Sequence, residues 1–134
     1  MLTVKTVLRE TRTKGIGLFA AEPIAAGSVW WKDDRTFNRL ISDAELSHLP
    51  DIARHFVFTY GALTGTGQWY VCLDNARFVN HSESPNTAPL SRARPAYSGD
   101  WIAVRDISVG EEITSDYRHF CATCQGGLPF RNAE

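Results

Sequence analysis

The chain has 134 residues, 43% of them hydrophobic and 22% charged, with a formal net charge of −1. That length suits one domain with its own core, and the near-neutral charge supplies no global basic field for nucleic acid. No run reaches the ~18–20 apolar residues of a membrane span, and the N-terminus carries Lys5 and Arg9 without an apolar signal core, so a cytoplasmic, membrane-free protein is expected.

Leu2 to Leu8 alternates apolar and polar positions, which predicts a half-buried strand. Gly15 and Gly17 mark a tight turn before Leu18-Phe19-Ala20. Pro23 and Gly27 bracket a connection into a second strand candidate, Ser28 to Lys32. Ser42-Asp43-Ala44-Glu45 has the spacing of a capping box and predicts a short helix that stops near Pro50. Asp51 to Phe58 predicts a second helix, with Ile52, His55, Phe56 and Phe58 spanning one side. Gly61 to Gly67 reads as a loop or hairpin turn and Gln68 to Leu73 as a strand. Pro89 to Asp100 predicts an exposed connection, Trp101 to Val104 a short buried strand, and Val109-Gly110 leads into an acidic segment. The pattern is mostly β with short helices. It shows no repeat, linker or low-complexity tract, so a single domain over residues 1–134 is expected.

Three cysteines, an odd number, argue against a disulfide framework. Cys121 and Cys124 have the C-x-x-C spacing of half a zinc site, but a structural site wants four ligands. Cys72 and His119 are the remaining candidates, so reduced, partly exposed thiols near the chain end and no metal are expected. The basic clusters Arg9/Arg12/Lys14 and Arg92/Arg94 read as solvated surface. Trp30, Trp31, Trp69 and Trp101 read as core or subunit-contact residues, which leaves self-association open.

Two stretches concentrate the polar chemistry. Arg77-Phe78-Val79-Asn80-His81-Ser82-Glu83-Ser84-Pro85-Asn86 packs amides, an imidazole and hydroxyls beside a proline. Such groups make poor core material unless each finds a partner. Gly110-Glu111-Glu112-Ile113-Thr114-Ser115-Asp116-Tyr117 ends an acidic segment on a phenol. With Lys14-Gly15-Ile16-Gly17-Leu18-Phe19-Ala20, these resemble the SET-domain protein lysine methyltransferases, whose signature runs G-x-G-[VL]-F-A, R-F-x-N-H-S-x-x-P-N and G-E-E-[LI]-x-x-D-Y in that order. The likeness covers Lys14 to Tyr117, with a short tail over 118–134, and looks most like the compact stand-alone bacterial members.

The resemblance implies a fold of several small sheets with a knot-like crossing of the C-terminal segment, S-adenosylmethionine as cofactor and a protein lysine as substrate. It implies main-chain contacts from Gly15, Ile16 and Gly17 to the methionine end of the cofactor, joined by the side chain of Asn80. Glycines at a turn permit such close backbone approach. His81 would contribute chiefly backbone bonds to the adenine, on which Phe120 would pack, while Ser82, Pro85 and Asn86 would serve shape. Tyr117 is the catalytic candidate, with Tyr60 and Ser115 along the substrate channel. Relatives often carry Phe or Tyr two residues before this tyrosine, where the residue affects how many methyl groups fit; the smaller Ser115 predicts at least dimethylation. Relatives with a zinc-binding tail take a ligand from a cysteine directly after N-H-S, where this chain has Glu83. The rival to an enzyme is a catalytically silent SET-like module that binds a protein partner. A zinc-dependent interaction domain built on Cys72, His119, Cys121 and Cys124 is a more distant one.

Overall fold

A computed structural model describes residues 1–91 and 99–121. Arg92, Arg94, Cys124 and most of the expected connection before Trp101 lie outside the described residues. In chain order come β1 (Thr6–Glu10), β2 (Ile16–Ala20), β3 (Val29–Trp31), β4 (Asn38–Ile41), α1 (Asp43–Ser47), α2 (Asp51–Tyr60), β5 (Ala62–Leu63), β6 (Trp69–Cys72), β7 (Asn80–His81), β8 (Thr87–Pro89), β9 (Trp101–Ala103) and β10 (Thr114–Ser115). Short strands in small sheets, with few short helices, are the architecture expected from the sequence.

β1 and β2 form an antiparallel hairpin with Thr6 opposite Ala20 and Glu10 opposite Ile16. The alternation from Leu2 to Leu8 does turn Leu2, Val4 and Leu8 toward the main core. The strand nevertheless starts later, because Leu2 pairs with Trp31 and Thr3 N–H donates to the Trp30 carbonyl. One apolar stripe therefore serves two sheets. β3, β9 and β8 form a second sheet in that order, and β4, β6 and β5 a third. β4 has no alternating signature, with Arg39 and Leu40 both exposed, and it escapes prediction.

The capping box forms as its spacing predicts. Ser42 Oγ accepts from Glu45 N–H at 3.2 Å, and Glu45 Oε2 accepts from Ser42 N–H at 2.9 Å. α2 runs two residues past the expected end and buries Val57, while Ile52, His55, Phe56 and Phe58 form its outward side. Gly61 ends the helix where its N–H meets the Val57 carbonyl at 2.7 Å, an approach so close that a Cβ there would lie 2.5 Å from that oxygen. The main core gathers Leu18, Ile24, Trp30, Trp31, Trp101 and Ile113, and so takes in three of the four tryptophans. Trp69 packs against a smaller cluster of Leu46, Val57 and Val71. No described helix is long and apolar enough to cross a membrane.

β7 and β10 pair in parallel, Thr114 opposite Asn80 and Ser115 opposite His81. This is where the two signature stretches cross. A parallel pair of two residues each has too short a ladder to hold itself, so side chains must fasten it. Asn86, 1% exposed, does so: its Nδ2 donates to the Glu112 carbonyl at 2.8 Å and its Oδ1 accepts from Thr114 N–H at 2.8 Å. One amide side chain thus stands in for a strand's backbone. Thr87 adds a bond from its hydroxyl to the Thr114 carbonyl at 2.8 Å.

Candidate active site

Gly17 is buried at the start of β2, and a Cβ there would meet Glu112 Oε1 at 2.7 Å, Thr11 Cγ2 at 2.7 Å and Asn80 Nδ2 at 3.0 Å. Only glycine lets these three surfaces close together. Gly15 differs: its φ of +71° is the left-handed region that the turn requires, but nothing crowds it. Asn80, 1% exposed, donates from Nδ2 to Glu112 Oε1 at 2.7 Å and to the Ile16 carbonyl at 3.3 Å. The structure therefore joins Ile16, Gly17 and Asn80, which lie 64 residues apart in sequence.

Tyr117 is held at both ends by the segment 79–81. Its hydroxyl donates to the Val79 carbonyl at 2.6 Å, and its backbone N–H donates to His81 Nδ1 at 3.2 Å. Its ring packs edge-on to His81, with centroids 5.4 Å apart, and tilts against Phe120 at 5.2 Å. Phe120 in turn meets Trp101 edge-on. Tyr60, the last residue of α2, packs against Phe56 at 5.0 Å and Phe78 at 5.3 Å, with the Arg77 guanidinium over both Tyr60 and Phe78. Phe78 directly precedes Val79, so α2 reaches the site through an aromatic relay. Ser115 is 2% exposed and its Oγ lies 2.7 Å from Thr87 Oγ1. The space beside that hydroxyl is closed by β8.

Charge surrounds the tyrosine on one side. Arg118 grips the buried Asp116 with Nε at 2.8 Å and Nη2 at 2.7 Å, and also reaches Glu83 Oε2 at 2.9 Å. This guanidinium holds the Asp116 carboxyl down at about 2 against the opposing effect of burial. Contact with His81, and then with Arg118, holds the Glu83 carboxyl below its ordinary value. Lys14 Nζ donates to the His81 carbonyl at 2.8 Å. Glu83, Glu112, Arg118 and the Val79 carbonyl are the participants that sequence reasoning missed. The only available signal was the position of the first three inside or beside the motifs.

Cys121 is buried where a partly exposed thiol was expected, because it packs with Ala62, Tyr117 and Phe120, and burial pushes the Cys72 thiol up to about 12. Among the described residues no group of three His, Cys, Asp or Glu side chains is gathered as metal ligands would be.

The SET domain family model matches residues 15–118, a span that includes Gly17, Asn80, His81 and Tyr117. The chain belongs to the SET-domain family. Solved structures agree. This SET domain matches a humanized mutant of the Chaetomium thermophilum Polycomb Repressive Complex 2 bound to an inhibitor, at 25% identity and a TM-score of 0.57. It matches an active Polycomb repressive complex 2 in the basal state at 25% identity and a TM-score of 0.59. An autoinhibited Polycomb repressive complex 2 bound to S-adenosylmethionine, 23% identical with a TM-score of 0.57, shares the fold. Each match covers 85% of this chain but 15% of the solved chain, so the SET domain spans a small part of those proteins. No curated protein sequence matches the chain at a significant level.

Proposed function

We propose that this SET domain transfers a methyl group from S-adenosylmethionine to a lysine side chain of a protein substrate. The observation that carries the proposal is the double anchoring of Tyr117, at its hydroxyl by Val79 and at its backbone by His81, beside the Gly17–Asn80 junction. Members of the family are generally methyltransferases, and a structural neighbour holds S-adenosylmethionine.

The residues present fit the cofactor. The main chain of Gly15, Ile16 and Gly17 would take the methionine end, beside a junction where Glu112, Thr11 and Asn80 pack too closely on Gly17 to admit a Cβ. Asn80 is buried with its amide already oriented by an acceptor-only carboxylate. The His81 main chain and the Phe120 ring would take the adenine. When bound, S-adenosylmethionine supplies an electrophilic methyl group on a positively charged sulfur.

The chain must then present an uncharged amine, although a free lysine has a pKa of about 10.4. The paired aromatic rings of Tyr60 and Phe78 would disfavour an ammonium by desolvation. The Tyr117 hydroxyl donates its one hydrogen to Val79, so toward an incoming amine its oxygen acts as acceptor. An amine held through its N–H points its lone pair along one line, and this supplies near-attack geometry without covalent help from the protein.

Calorimetric titration with S-adenosylmethionine tests the cofactor half. Incubating the protein with lysate and methyl-labelled cofactor, then mapping labelled lysines by mass spectrometry, tests the rest. Cofactor binding without any labelled lysine would favour a silent protein-binding module.

A further inference from the structure

The neighbours of His81 settle which of its nitrogens carries the proton. The Tyr117 N–H points at Nδ1 from 3.2 Å, so Nδ1 must present a lone pair. The hydrogen of a neutral ring then sits on Nε2, which faces Glu83 Oε1 at 3.1 Å. The side chain of His81 is 13% exposed, so the ring is largely shielded although its Glu83 partner faces solvent.

Both competing forms of the ring would put a hydrogen on Nδ1, against the Tyr117 N–H. Asp116 Oδ1, 3.8 Å from Nδ1, would favour such forms. Arg118 opposes this by gripping Asp116 through Nε and Nη2. The same guanidinium also turns a hydrogen onto Glu83 Oε2, which holds the carboxylate whose other oxygen meets Nε2. The charged groups around the imidazole are thus Glu83 on its own segment, and Asp116 and Arg118 on the segment after β10. Lys14 sits on its backbone carbonyl.

We propose that His81 is a positioning residue for Tyr117, acting through its side chain in the neutral Nε2–H form, and that Glu83 and Arg118 select that form. This role is separate from any main-chain contact His81 makes with a cofactor. Its catalytic consequence rests on the methyltransferase reading; the tautomer and the hold on Tyr117 do not. Glu83 is exposed, so it can be altered with little risk to the fold.

The test uses the full chain labelled with ¹⁵N. Long-range ¹H–¹⁵N spectra at neutral pH are expected to show His81 as the Nε2–H tautomer, and an Nδ1–H or imidazolium pattern would overturn the proposal. Glu83→Ala should mix the tautomers, while Glu83→Gln, which keeps an acceptor for Nε2–H, should restore the single form. His81→Ala should speed hydrogen exchange at the Tyr117 amide by about tenfold or more. His81→Asn, whose Oδ1 replaces the acceptor at Nδ1, should keep most of the protection. Equal exchange in the Ala and Asn variants would sink the idea. Glu83→Ala should lower kcat for lysine methylation while leaving S-adenosylmethionine affinity within a few fold, whereas an equal loss in both would mark a merely structural role. If the wild type binds no cofactor at all, the methyltransferase reading fails, and the spectra still decide the tautomer.

Discussion

Tyr117 and Val79 are joined by a 2.6 Å hydrogen bond from phenol to main-chain carbonyl, across 38 residues of sequence. The bond fixes the far end of a side chain whose near end is already fixed at His81. Tyr117→Phe removes that bond and keeps the ring contacts with His81 and Phe120. Cofactor affinity measured by calorimetry should stay within a few fold, while methyl transfer to protein lysines should fall by ~10²-fold, the scale of a misplaced reacting group. Transfer at the wild-type rate would remove Tyr117 from the catalytic role.

Asn80→Ala leaves the Ile16 carbonyl and the Glu112 carboxylate without the amide that now serves both. Losing partners at a buried site costs about 1–3 kcal/mol, so both the melting temperature and the affinity for S-adenosylmethionine should drop. Unchanged affinity in a folded variant would argue against a cofactor contact at Asn80.

The two glycines of the first motif should respond differently. Gly17→Ala places a methyl 2.7 Å from Glu112 Oε1 and Thr11 Cγ2, so it should push apart the Gly17–Asn80 junction and abolish cofactor binding. Gly15→Ala meets no atom within 4 Å and bears only the strain of its left-handed backbone, about 1–2 kcal/mol. Its cofactor affinity should be the better preserved. Thermal melts and titrations of the pair separate crowding from strain.

Ser115→Tyr probes the methyl-number expectation under a constraint visible only in three dimensions. The serine hydroxyl meets Thr87 inside the packing of β8 and β10. A tyrosine must displace that threonine, and overpacking of this kind costs about 1–3 kcal/mol. The variant should melt earlier than wild type, and intact-mass analysis of methylated substrate should show whether any surviving activity stops at one methyl. A variant as stable as wild type would mean that the space was open.

Acid should loosen the segment around the tyrosine. Asp116 is held from an ordinary 3.8 down to about 2, so its folded-state pKa is depressed. Its contribution is present in full above the ordinary value and is lost as pH falls from about 4 toward 2. Arg118→Ala removes the main cause of the depression. It should move the acid-unfolding midpoint, followed by circular dichroism, to higher pH. An unmoved midpoint would show that the pair contributes nothing to acid resistance.

What could be foreseen in the sequence was local or carried by the motifs. The capping box at Ser42 and Glu45 needs four consecutive residues, and it formed as its spacing implied. The turn at Gly15 and the strands around Trp30, Trp69 and Trp101 left similarly local traces. β7 and β10 did not, because two-residue strands are too short to show a period. The partners of Asn80 and Tyr117 were hidden for a related reason. A main-chain carbonyl has no letter of its own, and a carboxylate 32 residues away, as Glu112 is from Asn80, leaves no periodic mark.

The crossing of residues 80–87 with 111–117 also orders events in time. The β1–β2 hairpin and the two helices close over short loops and can form while the chain is still growing. The Tyr117 anchors close over 36 and 38 residues, so they must wait until the chain has grown that far past Val79 and His81. A nascent chain therefore carries its glycine turn and Asn80 well before it carries Tyr117. Closure of the Tyr117 anchors, rather than of the β1–β2 hairpin, is the step that brings the two signature stretches together.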